Sequence, residues 1–189
     1  MDGETPALEV EVKIQLAGAA EARRLRLGLA ALGATQTGTQ TQEDTFYAPS
    51  GTARLGPDEA LRLRRAGGRI ILTHKGPRVP GRGSAKRREE VNVTTDAHAP
   101  DLLRALGFVP AVRLRKRRES YAWRKVDIAL DHLQGLGYFV EVEARTGRGA
   151  TAAIDRALGA LGLAGRPAIR ESYVELALKH GAAAVQSLA

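Results

Sequence analysis

The chain reads as α+β, a β-barrel with a charged interior and helices packed outside, and three observations predict it. Glu9-Val10-Glu11-Val12-Lys13 alternates strictly, with Glu9, Glu11 and Lys13 on one side and Val10, Val12 and Ile14 on the other. A period of two is a strand, because successive strand side chains point to opposite faces. The same alternation returns in later segments, always with one aliphatic row and one charged row. The segments Ala19–Leu32, Pro100–Leu106, Thr151–Leu161 and about Arg170–Lys179 have helical spacing, and their apolar faces need a sheet to cover. If the aliphatic rows lie under helices, the charged rows face inward. The opposite arrangement, a solvated charged surface, leaves the helices without a surface to bury.

Composition bounds the rest. The 189 residues suffice for one domain with a sizeable core, and no linker or tandem repeat divides them. Hydrophobic residues at 43% and charged residues at 26% are those of a folded chain. The net charge of +8 points to an anionic partner. With no cysteine, disulfides and thiolate chemistry are excluded. No apolar run approaches the roughly 20 residues of a membrane span, and the N-terminus lacks a signal-peptide pattern, so a cytoplasmic protein without a membrane partner is expected.

Taken in order, the first strand runs from about Ala7 to Leu16. The helix after it places Ala22, Leu25, Leu29 and Leu32 on one face and closes at Gly33. Thr35–Tyr47 is rich in Thr and Gln and favours a strand, followed by the Pro49-Ser50-Gly51 turn. Glu59–Arg65 and Arg69–Lys75 form a hairpin about Gly67-Gly68. Pro77–Ser84 is a basic Pro/Gly loop, and Lys86–Thr94 is the next strand. Val109–Trp123 is strand-like and intensely basic. Its parity sends Lys116 and Arg118 inward and Arg113, Arg115 and Arg117 outward, to cover an edge or to meet another subunit of a homodimer. Val126–Leu130 and Tyr138–Ala144 alternate again around Gly135-Leu136-Gly137, and two helices finish the chain.

The inward rows hold carboxylates (Glu9, Glu11, Glu90, Asp131, Glu141, Glu143) and cations (Lys13, Arg62, Arg64, Lys75, Arg88, Lys116, Arg118). Enclosed charge of both signs must be paired, hydrated or filled by a ligand, because unpaired buried charge is costly. Carboxylates two residues apart on one wall are oxygen ligands for a hard cation, and guanidinium forks match phosphate oxygens. The pattern is that of a metal-assisted phosphate site. Trp123, His74, His98, His132 and His180 show no metal-ligand spacing and are expected to pack or lie at the surface, and Tyr173 is expected in the core.

These elements, in this order, resemble the CYTH family of triphosphate tunnel metalloenzymes. The resemblance rests on Glu9-x-Glu11-x-Lys13, Asp44-Thr45-Phe46-Tyr47, Leu61-Arg62-Leu63-Arg64 and Leu72-Thr73-His74-Lys75-Gly76-Pro77. Arg88-x-Glu90, Lys116-x-Arg118-x-x-Tyr121, Leu130-Asp131, the run Gly135 to Glu143, and Ser172-Tyr173 complete it. It implies a single domain over 1–189, with a closed eight-stranded antiparallel barrel over about 7–145 and C-terminal helices over about 150–181. It implies Mg²⁺ or Mn²⁺ at Glu9, Glu11, Glu141 and Glu143, with Glu90 and Asp131 as further acids. Lys13, Arg62, Arg64, Lys75, Arg88, Lys116 and Arg118 would grip the triphosphate, and Glu9, Glu11, Lys13 and Asp131 would serve catalysis. The Pro77–Ser84 loop would close over the substrate or remain a hairpin tip.

The family contains cyclases, which expel pyrophosphate from ATP, and hydrolases of thiamine triphosphate, tripolyphosphate or a nucleoside triphosphate. The Leu72–Pro77 and Gly135–Glu143 segments most resemble the class IV adenylyl cyclases. Some of those carry a His-Phe pair before the first strand, where this chain has Gly3-Glu4, so a triphosphatase stands as the alternative. A non-enzymatic binder of polyphosphate or RNA on the Arg113–Arg118 strand is the minor reading. Four Tyr, three Phe and one Trp offer few base-stacking platforms, which argues against nucleic acid.

Overall fold

Alternation makes each strand two-faced, and closing the sheet decides which face is solvent-free on the inside. A computed structural model describes residues 7–52, 55–56, 58–78, 85–144 and 149–180, without the side chains of residues 7–9 and 86. The elements are β1 (Ala7–Leu16), α1 (Ala19–Ala31), β2 (Thr35–Pro49), β3 (Ala60–Ala66), β4 (Arg69–Lys75) and β5 (Lys86–Thr95). They continue with α2 (Ala99–Ala105), β6 (Phe108–Trp123), β7 (Val126–Leu133), β8 (Gly137–Ala144), α3 (Ala150–Ala160) and α4 (Tyr173–Lys179). The strands close in the order β1-β5-β4-β3-β2-β6-β7-β8, every neighbour antiparallel. The eight-stranded closed barrel with outer helices is the fold expected from the sequence. Gly67 and Gly68, at φ +55° and +76°, supply the two positive-φ positions that the β3–β4 hairpin turn requires.

The aliphatic rows face outward into helix-covered cores. Val10, Val12 and Ile14 of β1, Ile128 and Leu130 of β7, and Val140 and Val142 of β8 pack with Ala22, Leu25 and Leu29 of α1 and Ile154, Ala157 and Leu158 of α3. The Trp123 indole N–H donates to the Leu32 carbonyl at 3.1 Å, tying the end of α1 to the end of β6 and giving that tryptophan its packing role. Arg26 of α1 forks onto Glu119 of β6 at 2.7 and 3.0 Å. A smaller core holds α2 against β2 and β3 through Ala99, Leu103, Tyr47 and Leu63. A third lies on the inward rows, where α4 packs on Val112 and Leu114, of the same parity as Lys116, and on Leu133 and Phe139. Among the described residues no helix is long and apolar enough to cross a membrane.

Most boundaries lie within one or two residues of expectation, and two differ by three for visible reasons. β7 runs three residues past Leu130, because Asp131, His132 and Leu133 still pair with β6 and β8. Helix α4 starts at Tyr173 rather than near Arg170, because Ser172 caps it: its hydroxyl accepts from the Glu175 amide at 3.2 Å and the Glu175 carboxylate accepts from the Ser172 amide at 2.6 Å.

The outer core makes a direct test. Leu29 is fully buried while Leu27, two residues earlier on the same helix, is 65% exposed. Leu29→Ala is expected to cost about 2–5 kcal/mol and Leu27→Ala less than about 0.5 kcal/mol, measured by urea unfolding. Equal losses would mean that α1 presents a different face to the barrel.

Candidate active site

Inside the barrel the charged rows converge on one cavity of about 260 Å³. Its lining includes Arg62 and Arg64 from β3, Lys75 from β4, Arg88 and Glu90 from β5, Lys116 and Arg118 from β6, Glu141 and Glu143 from β8, and Glu11 and Lys13 from β1. Strand order explains the polarity. β8 and β1 are neighbours, so Glu11, Glu141 and Glu143 share one wall with Lys13 among them. β3, β2 and β6 are consecutive, so Arg62, Arg64, Lys116 and Arg118 share another. The structure thus gathers these sequence-predicted residues at one place. Glu9 lies opposite Arg88 in the β1–β5 register, and its side chain falls outside the described ones.

Four of the acids, Glu90, Asp44, Asp131 and Glu141, are answered by bases. Glu141 accepts from Lys13 at 3.2 Å and from Arg118. Asp131 accepts from Arg118 Nε at 2.7 Å and Lys116 at 3.2 Å. Lys75 pairs with Glu90. Arg64 forks onto Asp44 with both contacts at 2.7 Å. Burial raises the Glu141 carboxyl, yet the charges of Lys13, Arg118 and Lys116 outweigh it and hold its pKa well below the ordinary range. Asp131 is likewise lowered, by Arg118 and Lys116 against its burial. The cations feel the reverse. Burial and the Arg118 charge push Lys116 down to about 8, against the pull of Asp131 and Glu141. Burial and the neighbouring Arg64 charge lower Arg62. The Arg62 Nη2 donates to Thr73 Oγ1 at 3.1 Å, while its buried Nε has no partner among the described residues. A buried, incompletely satisfied guanidinium calls for an anion.

The acid wall suits a divalent cation. Glu11 and Glu143 stand directly opposite on adjacent strands, one step from the Lys13–Glu141 pair. Carboxylates in that relation are groups that could hold an oxygen-seeking divalent cation. Among the described residues no three carboxylate or histidine groups converge as a ready-made metal cage. Asp131, expected among the acids, is placed elsewhere: it is 1% exposed, behind Lys116 and Arg118, with both oxygens engaged. It acts on the cations.

The structure also brings to the site residues to which the sequence reading gave no part in it; Tyr173, expected in the core, is indeed buried there. Tyr173 enters from α4, donating to Asp131 Oδ2 at 2.9 Å. Burial and the charges of Asp131 and Glu141 push its hydroxyl well above the ordinary range, so it remains a donor. Thr73 donates to Asn92 Oδ1 at 2.7 Å, and Asn92 donates to Glu90 at 3.0 Å, completing a polar chain from Arg62. Parity marks Thr73 and Asn92 as inward; Asp44 is marked by its register opposite Arg64. Arg113, Arg115 and Arg117 face outward and are exposed, as their parity predicts. Among the histidines, His132 stacks on Tyr138 at 4.2 Å and His74 lies 3.6 Å from Glu59, both exposed. Of the Pro77–Ser84 loop, residues 79–84 lie outside the described residues; Arg78 at its root pairs with Asp58 and, at 2.7 Å, with Glu175 of α4.

Comparison with known proteins agrees with this layout. Residues 7–165 match the model of the CYTH domain. A Methanocaldococcus jannaschii protein provisionally named an adenylate cyclase is 28% identical over 136 residues, covering 72% of this chain and 76% of the relative. The adenylate cyclase CyaB of Aeromonas hydrophila is 32% identical over 108 residues, 57% of this chain; the match spans 53% of that enzyme, about half its length. A solved Pyrococcus horikoshii structure superposes with a TM-score of 0.72 at 29% identity, over 90% of this chain and 98% of the other.

The Asp44–Arg64 fork sets a pH test. Burial raises the Asp44 carboxyl, but the Arg64 hydrogen bonds and the charges of Arg62, Arg64 and Lys116 prevail and hold it far below its ordinary pKa. A carboxylate with a depressed folded pKa stabilises above its unfolded value, about 3.9, and loses that contribution as pH falls below it. The stability advantage of the native chain over Asp44→Asn is therefore expected to be constant from about pH 7 to pH 5 and to shrink below about pH 4. A difference that stays flat to pH 3 would place the carboxylate's contribution elsewhere.

Proposed function

The chain belongs to the CYTH domain family, and from that premise we propose that it is a divalent-metal-dependent enzyme that binds a triphosphate in the barrel lumen. The favoured reaction is that of a class IV adenylyl cyclase, converting ATP to cyclic AMP and pyrophosphate. The observation that carries the reading is the convergence of Lys13, Arg62, Arg64, Lys75, Arg88, Lys116 and Arg118 on one cavity, with a carboxylate wall at its β1–β8 side. A triphosphate carries several negative charges, and these forks and ammonium groups provide matching donors on an enclosed path. Binding is an exchange of partners: phosphate oxygens replace Glu141 at Lys13 and Arg118 and satisfy the open Nε of Arg62. Glu11, Glu141 and Glu143 are then the groups to hold Mg²⁺ or Mn²⁺, which when bound neutralises phosphate charge and lowers the barrier to displacement.

In cyclisation the ribose hydroxyl attacks the α-phosphate and gives up its proton, in net to water or the departing pyrophosphate; the bond to the β-phosphate breaks, and pyrophosphate leaves with the charge that Arg62, Arg64, Lys116 and Arg118 are placed to take up. A second observation favours a substrate with an organic group. At Phe46, Ala60, Arg88 and Ser172 the charged lumen adjoins a mostly apolar cavity lined by Leu55, Leu61, Ala111, Val112 and Val174. Its chemistry suits a base or other ring better than bare tripolyphosphate. The adenylate cyclase names of the two sequence relatives support the same choice. Triphosphatase activity in the same lumen is the alternative, since water in place of the hydroxyl needs the same phosphate grip.

The test is to supply ATP, tripolyphosphate and thiamine triphosphate, each with Mg²⁺ or Mn²⁺, and to follow products by phosphorus NMR. Pyrophosphate with cyclic AMP is the expected outcome. Orthophosphate in its place establishes a triphosphatase, and anion binding that survives EDTA without turnover under any condition would remove the enzymatic reading. Glu11→Gln is expected to lower turnover at least about a hundredfold with the fold intact. Arg64→Ala is expected mainly to raise the half-saturating substrate concentration, and no change would place Arg64 outside the binding path.

A further inference from the structure

The final helix has seven residues and starts from a capping box, yet its first residue is the one that enters the charged lumen. The Tyr173 ring lies 4.0 Å from the Lys13 ammonium and 4.9 Å from that of Lys116, both measured to its centroid. Phe139 meets the same ring edge-on at 5.1 Å, which fixes its plane. The hydroxyl reaches Asp131, the carboxylate that Lys116 and Arg118 also hold. The chain just before the helix adds to the grip: the Lys13 ammonium donates to the Glu171 carbonyl at 3.3 Å, and the Ile169 amide donates to the Lys13 carbonyl at 2.8 Å.

We propose that Tyr173 is a positioning residue of the anion site, its ring face orienting the ammonium groups of Lys13 and Lys116 and its hydroxyl orienting Asp131 beneath Arg118. The phosphate-binding lumen is then completed by the C-terminal helix. The inference rests on the reading of the lumen as a triphosphate site. The physical need is plain in the neighbouring charges. Lys13 and Lys116 are both buried, at 3% and 5% exposure, and each shares a carboxylate with Arg118: Glu141 for Lys13, Asp131 for Lys116. The carboxylates of Glu141 and Asp131 draw these like-charged ammonium groups in, and a substrate that displaces Glu141 leaves something else to hold that geometry. An aromatic face does so without adding a negative charge, and so without competing with the phosphates as a carboxylate would. A ring is a partner that the cations keep when Glu141 is exchanged for substrate.

The apolar surroundings of Tyr173 also admit a simpler role as filler between Phe139 and Leu176, and the experiment separates the two. Tripolyphosphate binding is measured by calorimetry in EDTA for the native protein, Tyr173→Phe and Tyr173→Leu, with the melting temperature of each recorded. Phenylalanine keeps the ring and leucine keeps only apolar bulk. The expected order is native tightest, Tyr173→Phe about two- to fivefold weaker and Tyr173→Leu weaker by about tenfold or more. The ε-methylene proton signals of Lys13 and Lys116 are expected to be shifted upfield by the ring in the native protein and in Tyr173→Phe. In Tyr173→Leu they are expected at ordinary positions. Native binding with full affinity retained in Tyr173→Leu overturns the positioning role and leaves the triphosphate site standing. No binding by the native protein, either in EDTA or with Mg²⁺ present, overturns both. Should Tyr173→Leu not fold, unshifted lysine signals in the native protein overturn the inference by themselves.

Discussion

The constraint on which the rest depends is that charge of both signs is enclosed by a barrel wall. At low dielectric each unpaired ion costs several kcal/mol, so the lumen is stable only when every carboxylate has a base and every base an acceptor. Without ligand that balance is nearly met internally, through Lys13–Glu141, Arg118–Glu141, Arg118–Asp131, Lys116–Asp131, Lys75–Glu90 and Arg64–Asp44. Among the described residues two lumen cations are left strained: Arg62 Nε has no partner, and the Lys116 ammonium is destabilised enough to bring its pKa to about 8. An entering anion is therefore drawn to the basic wall. The anion alone would strand Glu141, and a cation alone would strand Lys13. In our reading the two ligands are coupled through Glu141, because each makes good the charge the other displaces.

The outer architecture follows from turning the barrel inside out. Val10, Val12 and Ile14 cannot face a charged lumen, so they face outward and need cover, which α1 and α3 provide. Where cover is absent the outward row changes chemistry. Arg113, Arg115 and Arg117 on β6 are exposed and carry guanidinium groups where a covered strand carries valine or leucine. The Glu119 that follows them is buried by a different device, the Arg26 fork from α1 and the Tyr121 hydroxyl at 3.1 Å. The same strand thus lines the lumen with Lys116 and Arg118, meets solvent with its outward arginines and anchors a helix with its end.

Much of this was legible because a strand has a period of two. Parity alone places Lys13, Arg62, Arg64, Lys75, Arg88, Lys116, Arg118, Glu11, Glu141 and Glu143 on the rows that the closed sheet turns inward, and in each case the cavity lining agrees. Parity does not tell how an inward charge is spent. Asp131 has the parity of an acid available to a cation, yet Arg118, Lys116 and Tyr173 consume both of its oxygens. Asp44 stands in a strand of Thr and Gln whose two faces are both polar, so parity gives it no role; the Asp44-Thr45-Phe46-Tyr47 element marks the segment, and only the register opposite Arg64 shows what the carboxylate does. Tyr173 was least legible. A seven-residue helix has too few turns for a periodic signal, and the Ser172-x-x-Glu175 pattern that sets its start says nothing of where the helix will dock.

That docking links the C-terminus to the chemistry. The helix is held on its apolar side by Val112, Leu114 and Leu133, residues whose own strands carry Lys116, Arg118 and Asp131 a few positions away. Packing at one end of the barrel and charge placement in its interior are consequently set by the same strand register. A slip of one residue in β6 would turn Lys116 and Arg118 outward and Arg115 and Arg117 inward. It would also carry Val112 and Leu114 off the surface that receives α4. Charge balance, barrel closure and helix docking therefore select one register together, and each would be lost with the others.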